Sequence, residues 1–284
     1  MGMTMNNNKT NRRLLALGAA TALVVSSTLA LAATPPTLGG GVFGTKHDFS
    51  GTGYQKPFGG VIVGSCSICH TPHSAFSTNL LWNQHASTVT SYTWGDANET
   101  RGGTPLPSTA GQGPSVRCLS CHDGSVAVGD TAVFHESVRG MGAPGDGVLG
   151  FDTGTIVGRV GGIFQIGTAA ANATSGSMAG NHPIGIPYPL NNVTGTYNGV
   201  AGGAQVDYVE FVANPHAPAN GIKLYTDNGG GNITAGTTPG STGIECTSCH
   251  DPHNKQVQDW PFLRGKVLGS TKADGYLCLQ CHVK

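Results

Sequence analysis

All eight cysteines of the chain lie in four segments with the pattern C-x-x-C-H, and none is left over. This pattern is the attachment motif for c-type haem. Two thiols three residues apart on a short helical turn add across the two vinyl groups, and the adjacent histidine reaches the iron. We therefore predict four covalently attached haems, at Cys66–His70, Cys118–His122, Cys246–His250 and Cys278–His282. The attaching thiols are Cys66, Cys69, Cys118, Cys121, Cys246, Cys249, Cys278 and Cys281.

Cysteine pairs also bind zinc, and cysteines of exported proteins form disulfides. The gaps between the four pairs match no zinc-ribbon spacing. Neither alternative requires a histidine directly after every pair. Haem attachment accounts for the pairs and for the histidines together, so we adopt it.

Each iron takes one proximal ligand from its own motif, which assigns His70, His122, His250 and His282. The group that occupies the remaining, sixth coordination position of the iron decides whether a haem transfers electrons or performs other chemistry. Beyond residue 33 the chain contains only two methionines, Met141 and Met178. We therefore expect a second histidine on every iron. The candidates are His47, His73, His85, His135, His182, His216 and His253.

An internal repeat selects four of these candidates. C-S-I-C-H-T-P-H at 66–73 matches C-T-S-C-H-D-P-H at 246–253, and each is followed downstream by C-L-x-C-H. Each half also has one histidine before its first motif, in a turn-like setting. The predicted distal ligands are therefore His47, His73, His182 and His253. For the remaining histidines we expect surface or haem-propionate contacts, with a distal role as the alternative; they are His85, His135 and His216.

The C-H-x-P-H spacing has a geometric consequence. Residues three apart on a helical turn share a face. Because His70 is committed to its own haem, His73 cannot reach the opposite side of the same iron, and the same holds for His250 and His253. We expect each of these second histidines to reach another haem packed close by, unless it is only hydrogen-bonded at the surface.

The composition limits the elements that can hold these motifs. Glycine accounts for 45 of 284 residues, and charged residues for only 11%, against about 25% in an ordinary domain. So many helix breakers exclude a long helical bundle, and the formal net charge of zero excludes a strongly basic nucleic-acid binder. We expect a multihaem cytochrome c fold, mostly coil, with short helices at the haem sites, a few short β-hairpins and a haem-filled core.

Residues 1–32 have the features of a removable signal peptide. A basic start precedes an apolar stretch from Leu14 to Val25, and Ala30-Leu31-Ala32 supplies a cleavage signal. A retained membrane anchor is the alternative, and no later stretch is apolar enough to span a membrane. The rest divides into an N-terminal two-haem half at 33–137, a Gly/Thr/Asn-rich segment carrying His182 at 138–240, and a C-terminal two-haem segment at 241–284.

The motifs together resemble those of doubled C-x-x-C-H multihaem cytochromes. The shared segments are C-H-T-P-H at 69–73, L-W-N at 81–83, C-L-S-C-H-D-G at 118–124, H-P at 182–183, C-H-D-P-H at 249–253 and L-C-L-Q-C-H at 277–282. The chain resembles tetrahaem outer-membrane cytochromes of the E type, which assemble into extracellular nanowire filaments. The resemblance implies bis-His haems, a coil-rich chain and head-to-tail polymers in which a neighbour's histidine ligates one iron per subunit.

The repeat gives a separate argument for such a ligand. If His253 reaches back to a haem of the first half, the equivalent His73 should also reach back, but no earlier haem exists in its own chain. We expect its target to be the His282 haem of the preceding subunit, with His47 as the alternative donor. A heterologous contact of this kind does not close on itself and gives a filament.

We therefore expect an exported electron carrier without enzymatic activity, located at the cell surface or outside the cell and polymerised into a conductive filament. Identical subunits and other redox proteins or extracellular acceptors are the expected partners, with no nucleic acid and no membrane span after signal removal. The alternatives are a soluble periplasmic tetrahaem shuttle and, less favoured, an oxyanion reductase. A reductase needs one iron with an open position, whereas the distal histidine candidates exceed the number of haems.

Overall fold

The computed structural model describes residues 40–43, 45–49, 65–77, 79–95, 97–109, 111–126, 128, 130–131, 133–134, 137–138, 165–167, 169–170, 173–216, 221–253 and 262–283. They all belong to one compact unit, Pro36–Lys284. The predicted signal peptide at 1–32 and His135 lie outside the described residues.

The helices coincide with the haem motifs, in agreement with the prediction for three of the four. They are α1 (Ser115–His122), α2 (Cys246–Cys249) and α3 (Cys278–Cys281). The first motif forms hydrogen-bonded turns instead, in which the His70 N–H donates to the Cys66 carbonyl at 2.8 Å. The same bond closes the third motif, from His250 to Cys246 at 2.9 Å. One helical turn of backbone therefore brings both cysteines and the histidine of each motif together.

The strands are short, and the chain is mostly irregular, as expected from its glycine content. They are β1 (Ser91–Thr93), β2 (Val133–Phe134), β3 (Ser137–Val138), β4 (Ser175–Ser177), β5 (Ile186–Pro187), β6 (Thr196–Tyr197), β7 (Val200–Ala201), β8 (Tyr225–Asp227), β9 (Ile233–Ala235) and β10 (Thr242–Ile244). Three short 3-10 turns accompany them in the described residues, at Asn79–Leu81, Leu190–Asn192 and Tyr208–Glu210.

Strand pairing goes beyond the hairpins that the sequence predicts. β2–β3 and β6–β7 are antiparallel hairpins. β5, β10, β8 and β9 form a four-stranded antiparallel sheet in that order. β1 and β4 pair in parallel, with Tyr92 opposite Gly176. The larger sheet positions the third motif directly, because Glu245 alone separates the end of β10 from the start of α2.

Two small apolar clusters support these elements. One surrounds α1 and contains Val89, Tyr92, Leu119, Ala169 and Met178. The other lies beside the last motif and contains Tyr188, Leu190, Ile222 and Leu224. Ala169 and Met178 therefore pack on the first half, whereas Tyr188, Leu190, Ile222 and Leu224 pack beside the last motif.

The repeat seen in the sequence extends into a loop that returns to each C-H-x-P-H motif. The Thr71 N–H donates to the Leu81 carbonyl at 2.9 Å, and the Asp251 N–H donates to the Phe262 carbonyl at 2.8 Å. Leu81 and Phe262 both have left-handed backbone angles, with φ of 52° and 62°. The residue two positions further along donates a backbone hydrogen bond to the second cysteine of the motif in each case. The Asn83 N–H donates to the Cys69 carbonyl, and the Arg264 N–H donates to the Cys249 carbonyl.

Candidate haem-binding sites

Three pairs of histidine rings lie at nearly equal separations. The ring centres of His47 and His122 are 6.0 Å apart, those of His70 and His253 are 6.2 Å apart, and those of His182 and His282 are 6.3 Å apart. With about 2 Å for each metal–nitrogen bond and about 1 Å from each nitrogen to its ring centre, two imidazoles on opposite sides of one metal lie about 6 Å apart. Each pair joins one motif histidine to one predicted distal histidine, so the described residues fit bis-His haems.

Hydrogen bonds at the ring nitrogens support this fit. The Nδ1 atom of His70 lies 2.7 Å from the Leu80 carbonyl, and that of His182 lies 2.8 Å from the Pro183 carbonyl. A carbonyl only accepts, so each Nδ1 carries the proton and Nε2 keeps the lone pair that binds a metal. Leu80, like Leu81, has a left-handed backbone, with φ of 61°, and this conformation aims its carbonyl at the ring.

His47 is held as a neutral ring. Burial and the neighbouring charge of His122 lower the pKa of His47 to about 4, against a hydrogen bond to the Pro252 backbone that acts in the other direction. Its ring stacks on Phe262 at 4.8 Å between centres. A neutral imidazole is the form that binds a metal, so His47 is ready to act as a ligand at neutral pH.

The two second histidines of the C-H-x-P-H motifs differ in their surroundings. His253 lies beside His70, so it reaches the first motif, as the sequence argument supposed for this residue. His73 is exposed, and no other imidazole of the described residues lies against it. The expected target of His73 is not supported, because His182 already faces the ring of His282 in the same chain.

The unassigned histidines have other contacts. His85 is buried rather than at the surface, and its Nδ1 lies 2.9 Å from the Asp130 carboxylate. His216 accepts a hydrogen bond at Nδ1 from the Leu224 N–H at 3.0 Å. Its proton therefore sits on Nε2, which leaves no lone pair there for iron.

The four motifs are neighbours in chain order. Burial and, to a smaller extent, the charge of the neighbouring Cys69 raise the pKa of Cys121 to about 12. Cys118 and Cys246 hydrogen-bond through their side chains, and α1 packs on α2. In the same way, burial and then the charge of the neighbouring Cys249 raise the pKa of Cys281 to about 12. The first motif thus adjoins the second, the second adjoins the third, and the third adjoins the fourth. All eight thiols are free.

Two buried donors near the first motif fit an anionic group. The Trp82 Nε1–H and the Arg117 Nε–H have no hydrogen-bond partner among the described residues. Both border Ser77, whose carbonyl accepts from the Trp82 backbone N–H and whose hydroxyl lies 3.4 Å from an Arg117 Nη atom. Haem propionates are carboxylates that such donors bind well, and burial lowers the pKa of Arg117 in the present surroundings.

Buried carboxylates beside the motifs were not identified from the sequence. Asp123, directly after the second motif, accepts hydrogen bonds from the Tyr92 hydroxyl at 2.9 Å and from the Ser125 N–H at 2.8 Å. Asp251, directly after the third, lies 3.8 Å from a buried Arg264. The shared C-H-D pattern was the available signal. Glu245, directly before the third motif, carried no such signal.

Two features are absent from the described residues. No helix there is long and apolar enough to cross a bilayer. No group of three or more His, Cys, Asp or Glu side chains there is arranged to hold a bare metal ion.

Comparison with known proteins agrees with the motif assignment. A family model described as the doubled CXXCH motif matches residues 238–284, which contain the third and fourth motifs. No curated protein matches the chain. The family match supports a multihaem c-type cytochrome-like protein with covalently bound haem, and it suggests a role in electron transfer.

Proposed function

We propose that this protein is an exported tetrahaem c-type cytochrome that carries electrons and performs no other reaction. The three histidine pairs at 6.0 to 6.3 Å are the observation that carries the proposal. A bound haem would supply a one-electron iron couple, and two histidine ligands on its iron would leave no position open for a substrate.

The roles of the side chains follow from this proposal. The eight motif cysteines attach the four haems. His122 and His47 hold the second iron, His70 and His253 the first, and His282 and His182 the fourth. The carbonyls of Leu80 and Pro183 fix the Nδ1 protons of two of these ligands. The contacts between successive motifs favour electron movement in the order of the chain.

The repeat suggests the ligands of the third iron. His253, in the third motif, lies beside His70 of the first. By the same relation His73, in the first motif, would serve the iron held by His250 of the third. Because His73 is exposed, we propose that it reaches the His250 haem of a neighbouring identical subunit, in place of the His282 haem expected from the sequence. His47 is a weaker candidate donor, since it already faces His122.

An apolar edge beside His73 supports such a contact. Leu80 and Leu81 are 58% and 45% exposed, and the Leu81 carbonyl is bonded to Thr71, two residues before His73. A donor and an apolar edge on one subunit, with the acceptor on another, form a heterologous interface that extends into a filament. We propose a location outside the cell or at its surface, where such a filament could form, with the periplasm as the alternative.

Replacing His73 by alanine tests the proposal. We expect wild-type filaments in electron micrographs of the secreted fraction, four attached haems by mass spectrometry and low-spin iron throughout. In His73→Ala we expect the filaments to be lost and one haem per subunit to become high-spin. His216→Ala is the matched control, because that ring is bonded to Leu224 and is assigned to no iron.

The outcomes separate the alternatives. Filaments with fully six-coordinate haems in His73→Ala would contradict the ligand in trans. A wild-type protein that stays monomeric with four low-spin haems would be a soluble shuttle. Cyanide binding at one haem of the wild-type protein would instead point to a reductase.

A further inference from the structure

Glu245 is a buried carboxylate between the second and third motifs. It is 1% exposed and is the single residue between β10 and α2. One carboxylate oxygen accepts from the Tyr197 hydroxyl at 2.7 Å. The other accepts from the Ser115 N–H at 3.1 Å and, at closer range, from the Ser115 hydroxyl. Burial raises the pKa of the Glu245 carboxyl, and the hydrogen bonds from Ser115 and Tyr197 act in the opposite direction, towards the ionised form.

Ser115 makes this carboxylate a bridge between two haem motifs. It is the first residue of α1, three positions before Cys118. Its hydroxyl also accepts from the Cys246 N–H at 2.9 Å. Glu245 and Ser115 therefore join the start of α1 to the start of α2. A Cβ atom added to Gly113 would lie 2.0 Å from the carboxylate, so the backbone has been brought as close to Glu245 as a glycine permits.

The negative charge is not balanced locally by an ion pair. None of the three ion pairs among the described residues includes Glu245. The titratable groups that sense its charge are Tyr197, Tyr225, Cys118 and Cys246. The two cysteines are the attachment points of successive haems, and as thioethers they would carry no charge.

We infer that Glu245 positions the second and third haem motifs and lowers the reduction potential of the haems attached there. This inference rests on the proposed electron-carrying function. A ferric haem carries one more positive charge than a ferrous haem, so a fixed anion nearby stabilises the oxidised form more. Tyr197 and Ser115 hold that charge beside the two attachment points.

The test compares the haem-loaded Glu245→Gln variant with the wild-type protein by spectroelectrochemical titration. Gln keeps the size of the side chain and its ability to accept from Ser115 but removes the charge. We expect the titration to resolve four one-electron components, one for each haem. For one or two of them, the equilibrium constant for reduction should rise roughly tenfold, which is an increase of about 59 mV in the reduction potential for one electron. The control is Glu99→Gln, an exposed glutamate, for which we expect all components to coincide with wild type.

The outcomes distinguish this inference from the proposed function. If the wild-type protein shows no reversible one-electron components, the proposed function fails. If it does, and the components of Glu245→Gln coincide with them, the inference about Glu245 is wrong.

Should the Gln variant fail to load four haems, the Tyr197→Phe variant gives a second test. Removing that donor raises the pKa of the Glu245 carboxyl, so the rise in potential that accompanies its protonation should move to higher pH than in wild type. An unchanged pH dependence of the potentials would overturn the inference.

Discussion

The two C-H-x-P-H segments share a backbone frame but differ in the charges that line it. In both, the return loop passes through a left-handed residue and bonds to the second cysteine of the motif. The Asn83 side chain donates to the Ser67 carbonyl at 2.6 Å, and the Arg264 side chain donates to the equivalent Thr247 carbonyl at 3.0 Å. The same position is therefore filled by a neutral amide in one segment and by a buried cation in the other.

The acidic partners differ in the same way. Thr71 follows the first motif histidine, whereas Asp251 follows the third and faces Arg264. Glu245 adds a further buried carboxyl before the third motif and has no counterpart before the first, where the equivalent residue is Ser65. The difference teaches that the repeat preserves the geometry of attachment while it varies the electrostatic environment of each haem.

The largest expected effect comes from breaking the ion pair in the second of these segments. Arg264→Leu removes the cation facing buried Asp251, and losing one partner of a buried pair costs about 3 kcal/mol or more. Asn83→Leu, the matched change in the first segment, removes a neutral hydrogen bond and should cost about 1 kcal/mol. Denaturant unfolding of the two haem-loaded variants measures both. Equal losses would mean that the charges contribute nothing beyond the shared frame.

A second expected effect concerns His47, the histidine that precedes the first motif. The pKa of His47 is lowered to about 4, below the ordinary value near 6.5. The folded state therefore favours the neutral ring. This contribution to stability is complete above about pH 6.5 and is lost as the pH falls towards 4, by at most on the order of 3 kcal/mol.

Unfolding free energies at several pH values between 7 and 4 measure this loss. We expect His47→Gln to flatten the dependence on pH. Identical pH profiles for His47→Gln and the wild-type protein would contradict the role of burial at His47.

The smallest expected effect concerns the left-handed residue in each return loop. A left-handed backbone costs a non-glycine residue about 1 kcal/mol. Leu81 is 45% exposed, so Leu81→Gly should stabilise the protein by up to about 1 kcal/mol. Phe262 stacks on His47, so Phe262→Gly should destabilise it despite the relieved backbone. Thermal unfolding compares the two, and a gain in both variants would show that the stack is unimportant.

Much of the site could be predicted from local patterns. The C-x-x-C-H spacing names the attachment residues, and the repeat selects the distal histidines that the structure places beside three of the motif histidines. The coil-rich architecture also follows from the glycine content. These features depend on short sequence motifs or on the overall composition, and both can be read from one amino-acid sequence.

The remaining features depend on contacts between distant residues. The equivalence of Asn83 and Arg264 is invisible in the sequence, because the two residues differ in type and the loops before them differ in length. His282 was assigned to a partner subunit's histidine, yet it faces His182, because β5 and the turns around it bring that segment to the last motif. The Ser115–Glu245 bridge joins residues that only tertiary packing brings together.

The pairing of His70 with His253 has a consequence for the order in which the protein is completed. The chain is synthesised N-terminus first, so His47 is already present when the second motif emerges, and that pair can form at once. The first motif must wait for almost the whole chain before His253 arrives. The histidine of the earliest motif is thus among the last to meet its partner, so the His70–His253 pair marks a chain that has folded from end to end.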